Sequence, residues 1–114
     1  MSGDALDDAV RAMGHPGRRA MLRLARDGER TAAELAEVAG LGASAASPHL
    51  KVLREVGLMH VRVDASRRLY RTDLTRLREV RTALDELWGD ALTDLKATAE
   101  ADASRRRRAR KRSA

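Results

Sequence analysis

A chain of 114 residues with 43% apolar side chains, one Trp, one Tyr and no Phe can build one modest core but not two. It has no Cys, which excludes disulfides, thiolate metal sites and thiol switches. It also has no apolar run near the roughly 18 residues that span a bilayer and no leader-like stretch in Met1–Asp8, so it is expected in the cytoplasm with no membrane partner.

The formal charge of +6 is unevenly placed. Arg105, Arg106, Arg107, Arg108, Arg110, Lys111 and Arg112 supply the excess. Without them the chain is close to neutral, with residues 43–72 at net +4 and residues 73–103 at net −4. A basic middle beside an acidic helix points to one surface for phosphates and another for a different contact. Arg outnumbers Lys 20 to 3, a bias that a GC-rich coding sequence also produces.

In chain order, Ala5, Leu6, Ala9, Val10 and Met13 lie on one helical face. Gly14-His15-Pro16-Gly17 breaks that helix, and Pro16 opens the next, which runs to about Arg26. Thr31 and Glu34 form a capping box for a helix of about two turns that Gly40 stops. The following helix, from Ala43 to Val56, turns Ala46, Leu50 and Leu53 inward. With the small Ala36 and the turn at Gly40, the pair reads as a helix-turn-helix. Two alternating runs, Leu58–Val63 and Arg67–Thr72, flank a three-residue turn, Asp64-Ala-Ser66, and predict a β-hairpin. Asp73 caps a long helix whose Leu74, Leu77, Val80, Leu84, Leu87, Ala91, Leu95 and Thr98 recur with a period near 3.5, the mark of a helix that pairs with another helix. Trp88 flanks this ridge. The fold class is mainly α with a β-hairpin wing, in a domain over residues 1–103. A basic tail over residues 104–114 is expected to be disordered.

Ser44, Ser47, Pro48, Lys51 and Arg54 share the face of the second helix opposite its apolar residues, with His49 beside them. Hydroxyls and cations on such a face suit the major groove of double-stranded DNA. The hairpin adds Arg62, Arg67, Arg68 and Arg71 for phosphates. These ten residues are the candidate DNA contacts.

Residues 9–88 resemble the ArsR/SmtB family of winged helix-turn-helix regulators. The resemblance rests on Arg11–Leu24, on Glu34-Leu-Ala-Glu-Val-Ala-Gly40, on Ser47-Pro-His-Leu-Lys-Val-Leu-Arg-Glu-Val-Gly-Leu58 and on Arg67-Arg-Leu-Tyr-Arg71. It implies a homodimer joined through the first and last helices, repressing its own promoter by occluding polymerase. Leu6, Val10, Leu77, Val80, Leu84, Leu87, Trp88, Ala91 and Leu95 would form the dimer interface. Two departures stand out. Pro48 replaces the family's usual polar or basic residue and deletes a backbone bond, which predicts a first turn that is bent or late. Gly42 and Ala43 replace the usual Ser and Gln, which lowers the expected selectivity for sequence.

The family's thiolate site has no counterpart here, and Asp85, Asp90 and Asp94 on the last helix have no His beyond His60 to join them. No metal and no cofactor are therefore expected. His15 is assigned to the turn before Pro16, and His60 to the wing. Regulation by abundance alone, by a small organic effector near Trp88, or by a protein effector all remain open. So does a nucleoid-associated, architectural role with little sequence preference. The tail reads as an anchor on flanking DNA or as an extension without a role. No phosphate loop, HExxH or GxSxG occurs, so an enzyme is not expected.

Overall fold

The computed structural model describes residues 2–113. The side chains of Asp90, Ala91, Leu92 and Ser113 lie outside the described set, and with them the expected interface residue Ala91. Two compact units are distinguished, Met1–Arg81 and Thr82–Ala114.

The first unit opens with α1 (Gly3–Ala12), whose first turn is capped by the Ser2 hydroxyl accepting from the Ala5 N–H. α2 (Pro16–Arg26) begins with proline at a position where its missing N–H costs nothing. Next come β1 (Arg30–Thr31), α3 (Ala32–Val38) and α4 (Ala43–Glu55). The capping box at the start of α3 is present: Thr31 Oγ1 accepts from the Glu34 N–H, and Glu34 accepts from the Thr31 N–H. Gly40, at φ 69°, ends α3 in a left-handed residue, and the Leu41 N–H reaches back to the Ala36 carbonyl. Gly57, at φ 77°, ends α4 the same way, with the Leu58 N–H on the Leu53 carbonyl.

β2 (Met59–Asp64) and β3 (Arg67–Thr72) form the hairpin, and Asp64 opposes Arg67. The loop is therefore two residues, Ala65 and Ser66, not the expected three. Ala65 takes φ 55° at the first loop position, where a tight hairpin turn ordinarily uses glycine. The sheet has a third strand: β1 pairs antiparallel with β3, Arg30 opposite Tyr70 and Thr31 opposite Leu69, giving the order β1-β3-β2. Two residues are too short for an alternating pattern to register, so β1 was not visible in the sequence.

Met21, Leu22 and Ala25 from α2, Leu35 and Ala36 from α3, and Ala46, Leu50 and Leu53 from α4 are buried together with Leu58, Met59, Leu69 and Tyr70. The inward residues expected for α4 are thus the ones that are buried. Thr72 is the buried polar residue of this core, and its Oγ1 donates to the Leu22 carbonyl at 2.8 Å, so its burial leaves no unmatched donor.

α5 (Leu74–Ser113) starts where Asp73 Oδ1 accepts from the Arg76 N–H at 2.8 Å, the expected cap. It continues as helix through the basic segment where disorder was expected. Charge alone misled that expectation. Arg, Ala and Lys are strong helix formers, Asp102 pairs with Arg105 one turn on, and Arg107 donates to Ser104 Oγ at 3.2 Å.

Candidate nucleic-acid interface

α4 is held from beneath by Ala46, Leu50 and Leu53, which leaves Ser44, Ser47, Pro48, Lys51 and Arg54 exposed on its outer side. The helix runs unbroken from Ala43 to Glu55 with Pro48 inside it, so it starts on time despite the proline. Pro48 has no N–H to give the Ser44 carbonyl four residues back, which leaves that acceptor free at an exposed turn.

Strand alternation decides what the hairpin contributes. Cross-strand partners Met59–Thr72, Val61–Tyr70 and Val63–Arg68 share one face, while His60–Arg71, Arg62–Leu69 and Asp64–Arg67 share the other. The first face closes an open groove against α4, and Ser47, Lys51, Arg54, Arg68 and Tyr70 line it. Among the described residues Arg54 and Arg68 have no ion-pair partner, whereas Lys51 Nζ lies 3.9 Å from Glu55. A phosphate entering this groove meets hydroxyl, ammonium and guanidinium donors on two walls.

The other expected contacts are placed differently. Arg62 is clamped by Glu29, with Nε and Nη2 donating to the two carboxylate oxygens at 2.5 and 2.9 Å. That bond holds the Glu29 carboxyl below its ordinary range. Arg62 serves as a strut from the wing to the segment before β1. Arg67 lies 4.0 Å from Asp64. Arg71 borders a separate cleft with Arg26, Asp73 and Thr75. The four wing arginines, spread over residues 62–71, are thus divided between two faces of one ribbon.

His49, expected beside that face as a further DNA contact, turns toward α2 instead. It is half-buried, its Nδ1 lies 3.1 Å from Arg18 Nη1, and its ring centroid is 4.3 Å from that of His15. A guanidinium only donates, so His49 Nδ1 accepts and the neutral ring carries its proton on Nε2. His15 Nδ1 likewise accepts, from the Gly17 N–H at 3.0 Å, which caps α2. Arg18 Nε donates to the Ala12 carbonyl at 2.6 Å. Arg18 therefore ties the end of α1 to α4, a role the sequence did not reveal because its partners lie 6 and 31 residues away. His60 Nε2 is 2.6 Å from Asp73 Oδ2, joining the wing to the start of α5 as expected for a wing residue. Among the described residues no group of three or more His, Asp or Glu is placed to hold a metal ion.

The expected dimer residues separate too. Val80 is only 1% exposed within its own chain, so it is core and offers nothing to a partner. Leu6, Leu77 and Leu84 are half-buried, and Leu77 lines a small cleft with Met13 and Leu22. Val10 is 40% exposed, Leu87 and Leu95 are each 66% exposed, and Trp88 is 62% exposed.

A helix-turn-helix domain model matches residues 13–62, spanning α2, β1, the α3–α4 pair and most of the first hairpin strand. Over 87 residues the chain is 38% identical to the HTH-type transcriptional regulator Rv2034 of Mycobacterium tuberculosis, covering 76% of this chain and 81% of that protein. Among solved structures it is similar to a "possible transcriptional regulator for arsenical resistance", at 38% identity and TM-score 0.68 over 79% of this chain and 94% of that one. It is also similar to the homodimeric winged helix-turn-helix DNA-binding domain of Mb0332 from Mycobacterium bovis, a "possible ArsR-family transcriptional regulator", at 27% identity and TM-score 0.62 over 76% and 80% of the two chains. These matches point to DNA-binding regulators and not to enzymes. The chain belongs to the ArsR family of winged helix-turn-helix transcriptional regulators.

Proposed function

We propose that the chain is a homodimeric, sequence-specific repressor that acts in the cytoplasm by covering its own promoter. The observation that carries this reading is the groove between α4 and the hairpin, where Ser47, Lys51, Arg54 and Arg68 converge. Within it the exposed face of α4 enters the major groove: Ser44, Ser47 and Lys51 meet base edges, and Arg54 and Arg68 grip phosphates. Homodimerism is supported by the exposed apolar Val10, Leu87, Trp88 and Leu95 and by the homodimeric state of the Mycobacterium bovis protein. Two copies of α4 would then read two half-sites about one duplex turn apart.

The test is binding of the full chain to duplexes from the DNA upstream of its own gene, against random duplexes of equal length. Wild type should prefer an upstream duplex, and Lys51→Ala with Arg54→Ala should remove that preference. Removing one charge-assisted hydrogen bond to a base costs about 1–3 kcal/mol. Equal affinity for all duplexes would overturn the repressor and support an architectural DNA-binding protein instead. The short Ala43, Ser44 and Ala45 side chains at the start of α4 favour that second reading, because they reach few base edges.

A further inference from the structure

The second unit ends in a cationic helix that the α4 groove does not account for. From Ser104 to Ala114 there are seven basic residues and no acidic one, and α5 stays helical through Ser113. Arg105 is tied to Asp102. Arg106, Arg108, Arg110, Lys111 and Arg112 are exposed, and among the described residues no carboxylate pairs with them.

At helical spacing these side chains fall into rows: Arg105, Arg108 and Arg112; Arg106 and Arg110; Arg107 and Lys111. Each row sets like charges three or four residues apart, where they repel and weaken the helix. The C-terminal end of the helix dipole offsets part of that repulsion. A polyanion removes the rest. Residues 105–112 cover about 11 Å of helix, and duplex DNA carries one charge per roughly 1.7 Å of its axis, so one short stretch of duplex can neutralise several cations together. The segment has no aromatic side chain and no amide side chain to stack on or bond with a base.

We propose that Arg105–Arg112 is a second, sequence-independent DNA-binding segment that grips backbone phosphates and gains helical stability when it does so. It rests on the DNA-binding reading of the chain, but it contributes affinity without selectivity.

The test uses the full chain carrying R106Q/R108Q/R110Q/R112Q, titrated on an upstream duplex and a random duplex across a range of salt. The plot of log affinity against log salt should flatten by about 0.9 for each phosphate that is no longer neutralised. Affinity for both duplexes should fall by the same factor, so their ratio stays fixed. Backbone amides 104–113 should exchange hydrogen more slowly when DNA is added to wild type, and not in the variant. An unchanged salt slope overturns the proposal, as does a loss confined to the upstream duplex. Loss of binding to anionic phospholipid vesicles with an unchanged DNA slope also overturns it and assigns the segment to a membrane surface. Failure of the α4 reading looks different: Lys51→Ala with Arg54→Ala would leave the duplex ratio untouched while the R106Q/R108Q/R110Q/R112Q slope still flattened.

Discussion

His49 can take up a proton at Nδ1 only by giving up its bond from Arg18. Burial first, then the neighbouring His15 and Arg18, hold its ionisation below the ordinary value of 6.5. The unfolded chain binds that proton at the ordinary value, so the folded state keeps its full stability above pH 6.5 and loses part of it as pH falls below. Thermal melts at pH 7.5 and 5.5 should therefore show a larger drop for wild type than for His49→Gln, and equal drops would refute this account. The carboxylates act in a lower window. Asp73 is held down by the Arg76 N–H and then by His60, Glu34 by the Thr31 N–H, and Glu29 by Arg62. Their contribution is present above the ordinary carboxylate range and is lost only below it, a lower window than that of His49. A second residue-scale prediction separates the wing arginines. Arg68→Gln should flatten the salt dependence of DNA binding by about one unit. Arg62→Gln should leave that slope unchanged and lower stability slightly by freeing Glu29.

Two elements carry features that ordinary substitution should improve. Pro48 sits in the sixth residue of α4, past the turn where a missing N–H is harmless, and its side chain is exposed. Pro48→Ala should restore the bond to the Ser44 carbonyl and stabilise the fold by up to about 3 kcal/mol. Its effect on DNA affinity then reports whether the proline shapes the reading face. The hairpin turn holds Ala65 at φ 55°, a conformation that costs an L-residue about 1–2 kcal/mol. Ala65→Gly relieves that cost but adds freedom to the unfolded chain, so a net gain of about 0.5 kcal/mol is expected in denaturant titration. A loss of stability would mean that the Ala65 methyl group makes a contact of value.

At the level of the whole molecule, the apolar side chains left exposed on α5 are the strongest argument for a second copy. A small domain gains disproportionately from burying such residues against a partner, and Leu87, Trp88 and Leu95 are each more than 60% exposed. Leu87→Glu with Leu95→Glu should convert a dimer into a monomer in sedimentation analysis and weaken operator binding through loss of the paired α4 helices. A wild-type chain that sediments as a monomer at micromolar concentration would remove the basis for that pairing.

The sequence by itself determined what depends on near neighbours along the chain. The Thr31–Glu34 box, proline at the start of α2, the Gly40 turn, the inward Ala46, Leu50 and Leu53, the hairpin and the Asp73 cap are all written within a few residues of one another, and the family motifs follow that local grammar. The tertiary structure decided what depends on distant residues meeting. It turned His49 inward onto Arg18, clamped Arg62 with Glu29, divided the wing arginines between two faces, added β1 to the sheet and placed Val80 in the core of its own chain. The reason is common to all five: periodicity shows which face of an element is apolar or charged, but only the packed chain decides which partner that face meets.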